Sequence, residues 1–159
     1  MFGITARDLS PDELTTLERR EAAALAAREA EAAEEKARQE LVQSIQLARQ
    51  AIEDVADATR RGGIVLDQAR QEGKQVLRFL GDSRRNEKRE RIDATITDIE
   101  KKRERARERL EAAEALKTAA NSADTTVAAD LERGRALLGA ADVLAGELSA
   151  WREEMEQAL

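Results

Sequence analysis

Apolar side chains recur every three or four residues along most of this chain, which is the spacing of one face of a helix. The clearest heptad begins at Leu41, where Leu41, Ala48 and Val55 alternate with Ile45, Ile52 and Thr59. From Ala22 to Arg38 the face is mainly alanine with Glu and Arg around it, so it can pack closely or stand in solvent. These patterns predict an all-α protein, an elongated antiparallel bundle or coiled coil of three long helices, or of four if the chain breaks near Gly81.

The ends of these helices can be read from capping residues. Ser10 is a good N-cap, Pro11 suits the first helical position and Glu13 completes a capping box. Two arginines followed by Gly62 and Gly63 are typical of a helix C-terminus. We therefore predict a flexible tail over residues 1–9 and a single helical-bundle domain over 10–159. Its helices are expected at about 11–61, 64–80, 84–120 and 124–158, with 64–120 forming either one helix or two.

The two later helices also show apolar faces. In the third segment, one heptad position is taken by Ile92, Ile99, Ala106 and Ala113. In the last helix, a shared face carries Val127, Leu131, Leu138, Ala141, Ala145, Leu148 and Met155. Each of these faces is expected to pack against neighbouring helices.

Charge suggests how the helices pair. Residues 84–109 hold eleven Arg or Lys and seven acids, a net charge of +4, whereas residues 8–40 and 122–159 each carry −5. A basic helix between two acidic ones would fix the pairing of an antiparallel bundle. A weaker, functional interpretation is a phosphate-binding patch formed by Arg84, Arg85, Lys88 and Arg89. No aromatic residue interleaves there to stack bases, so pairing with acids is the favoured interpretation.

Residues 41–80 contain more large apolar side chains than a hairpin of two helices can bury. We therefore propose as candidate interface residues Ile45, Ile52, Val55, Val76, Phe79 and Leu80. Trp151, the only tryptophan, lies on the edge of the last helix's apolar face. A packing role is the favoured interpretation, but Trp151 is also a candidate interface residue, because tryptophan is enriched as an anchor at interfaces.

The amino-acid composition limits the kinds of catalytic and metal-binding groups that the chain can provide. The chain has no Cys and no His, which removes thiolate and imidazole groups, and its serines have no His to activate them. We predict no catalytic, cofactor-binding or metal-binding residues and no enzymatic activity. No apolar stretch approaches the length of a membrane span, and the N-terminus does not resemble a signal peptide. The expected location is the cytoplasm or the inside of a macromolecular particle.

Long helices of mixed charge without reactive groups favour a non-enzymatic structural or assembly protein. It would oligomerise, or dock on a larger complex, through its coiled-coil faces, for example as a phage virion or assembly component. The expected partner is another copy of the chain or a larger protein assembly, and neither a membrane nor a small-molecule substrate. One alternative is a regulatory or adaptor module that inhibits or chaperones a protein partner. A second alternative is nucleic-acid binding through residues 84–91.

Overall fold

The computed structural model describes residues 10–158, except for the side chains of residues 74–77 and 158. Three α-helices follow one another: α1 (Pro11–Val76), α2 (Asp82–Ala119) and α3 (Thr125–Ala158). A short 3-10 helix, Leu77–Phe79, precedes α2. No strand occurs within the described range, and the predicted all-α bundle is confirmed. The tail predicted for residues 1–9 lies outside the described residues.

The chain divides into two units, residues 1–39 and 40–159. In the first unit, α1 begins with the predicted capping box. The Glu13 backbone N–H donates to Ser10 Oγ (3.2 Å), and the Ser10 N–H donates to the Glu13 carboxylate (3.3 Å). Between residues 11 and 39 no side chain is buried, and only Leu14 and Ala37 are partly covered. The prediction of one domain over residues 10–159 stays a prediction.

The second unit is an antiparallel three-helix bundle. Ser44 Oγ donates to the Ala113 carbonyl (2.7 Å), and Arg91 donates to Gln68 Oε1 (3.0 Å), so ascending numbers in α1 meet descending numbers in α2. The core along its axis is formed by small and medium apolar side chains, namely Ala48, Ala51, Val55, Ala58, Leu66, Ile92, Ile99, Ala106, Leu110, Ala113, Val127, Leu131, Ala141, Leu144, Ala145, Leu148 and Met155. All four members of the predicted α2 heptad position are buried, and so is the predicted α3 face except for the partly exposed Leu138.

The predicted helix end at Gly62 and Gly63 is wrong, because α1 continues through both glycines. Gly62 is buried, and a Cβ built on it would lie 2.6 Å from Ile99 Cδ1 and 2.8 Å from Leu144 Cδ2. This glycine therefore lets α2 and α3 approach α1 closely. The first non-helical residue inside α1 is Gly73, with φ 71° and ψ 162°, a conformation that favours glycine. The predicted boundaries 11–61 and 64–80 are corrected accordingly.

Of the two alternatives left open for residues 64–120, the structure has the break near Gly81, and α2 begins at Asp82. A turn separates α2 from α3, between the helix ranges predicted as 84–120 and 124–158, with Asn121 at φ 49°. Asp124 caps α3, since the Thr126 and Val127 backbone N–H groups donate to its carboxylate at 2.8 Å and 3.2 Å. Residues 64–120 thus contain the end of α1, a chain reversal and α2.

The α1 core positions differ from the predicted heptad in one respect. Ala48 and Val55 are buried as expected, but the alternating positions are Ser44, Ala51 and Ala58, with Ile45, Ile52 and Thr59 only partly covered at the flanks. Small side chains at the axis allow close helix approach, while the larger isoleucines cover the sides of the core. None of the described helices contains a stretch long and apolar enough to cross a membrane.

Candidate interaction surfaces

The most regular exposed surface lies on α1 before the bundle core begins. It consists of Ala23, Ala26, Ala30, Ala33 and Ala37, which we call the alanine face. Its members are separated by three or four residues, so they share one side of the helix. All are exposed except Ala37, which is partly covered. No charged residue interrupts the face.

Further along α1, residues with the same spacing form the surface against which the other helices pack. After Leu41 it reaches the buried residues Ser44, Ala48, Ala51, Val55, Ala58 and Gly62. There α2 and α3 cover it, as the Ser44 hydrogen bond to Ala113 and the contacts around Gly62 show. The pattern that packs helices at residues 44–62 is therefore repeated at residues 23–37 with its side chains in solvent.

Residues 10–39 nevertheless have local reasons to be helical. Ala, Glu and Arg are strong helix formers. Arg38 lies 3.8 Å from Glu34 and 3.6 Å from Glu35, at helical spacings. Such exposed pairs contribute only about 0.2–0.5 kcal/mol each. Most helix stability in proteins comes from packing an apolar face, so this segment would be stabilised by a covering partner.

The candidate interface residues whose side chains the structure describes fall into three groups. Phe79 is 89% exposed, the largest exposed fraction among the described large apolar side chains. Ile45, Ile52, Leu80 and Trp151 are partly exposed; Ile45, Leu80 and Trp151 pack against the core. Val55 is 1% exposed and belongs to the core, which corrects its assignment to an interface. The side chain of Val76 lies outside the described residues.

A small crevice opens beside Trp151. Val65, Ala69, Ile92, Trp151 and Met155 form its apolar part, and Glu72, Lys88 and Arg91 are among its polar residues. Its volume is about 50 Å³. Pockets for small organic ligands usually measure about 300–1,000 Å³. This crevice therefore offers room for water or a small group, not for a typical cofactor.

Many basic residues of α2 form ion pairs with carboxylates of the same chain, at the surface of the bundle. Arg85 pairs with Asp82 (3.7 Å), Lys88 with Glu72, and Arg89 with Glu156 (2.8 Å), while Arg84 is exposed. Further along the bundle, cross-helix pairs join Arg103 to Asp142 (2.8 Å), Arg109 to Asp54, and Arg152 to Asp93. Most of the candidate phosphate-binding side chains are thus engaged with carboxylates.

These pairs also correct the predicted charge partners. The α1 acids in the ion pairs with Lys88, Lys102 and Arg109 of α2 are Glu72, Asp57 and Asp54, which follow the predicted acidic segment 8–40 in sequence. The register follows from the position of the chain reversal, which comes after Gly73 instead of at Gly62. The acidic partner predicted on the last helix is present as Asp142 and Glu156.

Asp57 is the most heavily paired carboxylate. Arg60 and Arg61 lie 2.9 Å from it, and Lys102 lies 3.9 Å away on α2. The hydrogen bond from Arg60 lowers the pKa of Asp57, partial desolvation opposes this, and the charges of Arg61, Arg60 and Lys102 lower it further. The contact with Lys102 joins α1 to α2 at this point.

Within residues 10–158, no group of three or more acidic side chains is arranged to hold a metal ion. Comparisons with protein-family models, with curated proteins and with solved structures gave no match to this chain.

Proposed function

We propose that this chain is a non-enzymatic structural or assembly protein that oligomerises or docks on a larger protein complex through the alanine face of α1. The observation that carries this proposal is the repetition, at exposed positions 23–37, of the spacing that α2 and α3 bury at residues 44–62. A phage particle, or the machinery that assembles one, is a setting that suits such a protein.

The small size of the side chains sets the expected strength of binding. Each buried methyl group contributes about 0.8 kcal/mol, so five of them contribute about 4 kcal/mol per helix. Association itself costs at least about 4 kcal/mol in lost freedom of motion. A single pair of such faces therefore binds weakly. This favours a setting in which several copies, or further contacts, act together.

A site-specific crosslinker can test this proposal in the cells that make the protein. A photoreactive residue replaces Ala30 on the alanine face or, as the matched control, Ala32, which is also exposed but points away from that face. We expect a discrete protein adduct from position 30 and much less from position 32. An Ala30→Glu change should remove the complex in size-exclusion chromatography, whereas Ala32→Glu should leave it. Absence of any adduct from position 30 would contradict the proposal.

The regulatory-module alternative is favoured by one observation, the 89% exposure of Phe79. An aromatic ring held in solvent suits an anchor for a protein partner. In that case Phe79→Ser should abolish partner binding and Ala30→Glu should not. The pair of variants therefore separates the two functions in one binding experiment.

A further inference from the structure

We infer that the occupant of the alanine face is the same face of a second copy of this chain, in antiparallel orientation. This inference rests on the proposed function and names its partner. It is carried by two observations: the charged residues that flank the face, and the small side chains along the face itself.

The charges on one edge of the face have opposite signs in its two halves. Arg20 and Glu34 lie seven residues before and after Ala27, so all three occupy the same edge of α1. Both charged side chains are exposed. Glu34 has an intrahelical contact of 3.8 Å with Arg38, a type of exposed pair that is easily exchanged. The chain therefore supplies both members of a complementary pair.

Antiparallel pairing brings these opposite charges together. With Ala26 facing Ala30 of the second copy, Ala23 faces Ala33, and Arg20 lies beside Glu34 of the second copy. Because the contact is symmetric, the attraction occurs twice. On the other edge, Glu29 approaches its own equivalent once at the two-fold axis. Two attractions thus oppose one repulsion.

If the two copies pair in parallel and in register, repulsions between charged side chains outnumber attractions. The flanking positions that meet in a parallel coiled coil are five residues apart. Glu29 would then lie beside Glu34 of the second copy, also twice, and Arg20 would meet no acid. Like charges at these positions select against an orientation. The charge pattern therefore favours the antiparallel pair.

Small side chains make the close approach possible. Every core position from residue 23 to residue 37 is alanine, so the backbones of the two helices can approach closely. The bundle uses the same device at Ala48, Ala51 and Ala58, which are at most 1% exposed. The self-contact would extend this type of packing to the N-terminal part of α1.

Charge reversal tests orientation and partner together. Sedimentation equilibrium at low salt compares the full chain with Arg20→Glu, Glu34→Arg, the double variant, and an equal mixture of the two single variants. Arg28→Glu, on the opposite side of α1, is the matched control. Replacing two exposed attractions by two repulsions should weaken self-association about tenfold to thirtyfold. The double variant and the mixture should recover it, because both restore opposite charges across the contact.

Each result supports or refutes a definite statement. If both single variants associate as well as the unchanged chain, the antiparallel contact is refuted. If the unchanged chain stays monomeric while position 30 crosslinks to a different protein, self-pairing is refuted and the proposed function stands. If the chain is monomeric and position 30 gives no adduct, both proposals fail.

Discussion

Replacing Gly62 by alanine tests whether this glycine is required for close helix packing. A methyl group there would lie 2.6 Å from Ile99 Cδ1 and 2.8 Å from Leu144 Cδ2, well inside normal contact distance. Ile99 is 1% exposed and Leu144 is 8% exposed, so neither can move aside into solvent. Forcing an extra methyl group into a packed core costs about 1–3 kcal/mol.

Gly63 provides the matched control in the same helix, because a Cβ there would meet nothing within 4 Å. Alanine is favoured over glycine in a helix interior by about 1 kcal/mol. Gly63→Ala should therefore raise the free energy of unfolding by about that amount. Gly62→Ala has the same gain but also the packing cost, so its net effect should range from no change to a loss of about 2 kcal/mol.

Urea denaturation of the full chain, followed by circular dichroism, gives both values. The midpoints of the two variants should differ while the slopes stay alike, since the exposed surface on unfolding hardly changes. If Gly62→Ala stabilises the protein as much as Gly63→Ala, Gly62 does not lie at a close helix contact.

Two further predictions use the same kind of measurement. Gly134→Ala should destabilise the chain relative to Gly146→Ala, because a Cβ at Gly134 would lie 2.6 Å from Leu110 Cδ2 and one at Gly146 would meet nothing within 4 Å; equal urea midpoints would contradict this. The ion pairs of Asp57 lower its pKa in the folded state. They therefore stabilise the fold fully at pH values above the ordinary carboxyl pKa of about 3.9. This stabilisation is lost as the pH falls through the lower pKa of the folded state. Asp57→Asn should therefore lower the melting temperature at neutral pH, with the difference from the unchanged chain shrinking in acid; a difference that persists in strong acid would show that the charge is not the cause.

Helix faces were predictable where apolar side chains kept a regular spacing. Ile92, Ile99, Ala106 and Ala113 were assigned to one heptad position, and all four are buried. The capping box at Ser10 and the turn before Asp124 follow from short-range hydrogen bonding, which a local sequence specifies. Such features depend on neighbours in sequence and do not require knowledge of the fold.

The position of the chain reversal was not predictable by the same reasoning. Basic residues followed by two glycines often end a helix, but Gly62 continues the spacing of Val55 and Ala58 into Leu66. The missing side chain at Gly62 serves tertiary packing, which the local pattern does not reveal. With the helix end placed at Gly62, the acids paired with α2 were expected in residues 8–40, whereas Asp54 and Glu72 form such pairs.

The surface predictions depended on which large side chains the third helix covers. Val55 was placed at an interface because a two-helix hairpin cannot bury it, yet α3 completes the core around it. Phe79 remains exposed because it lies in the short 3-10 helix between α1 and α2. The alanine face was not predicted as an interface, because each alanine side chain contributes little apolar area. Its meaning comes from the buried continuation of the same spacing.

The two tightly covered glycines restrict how the helices can slide. Ile99 and Leu144 occupy the space above Gly62, and Leu110 occupies the space above Gly134. A shift of α2 by seven residues along α1 would place Ile99 against Val55 or Ala69, where a side chain already stands. The same shift along α3 would take Leu110 away from Gly134. Helices with such a repetitive sequence could pack in several registers of similar stability. The space left by Gly62 and Gly134 favours one register over the others.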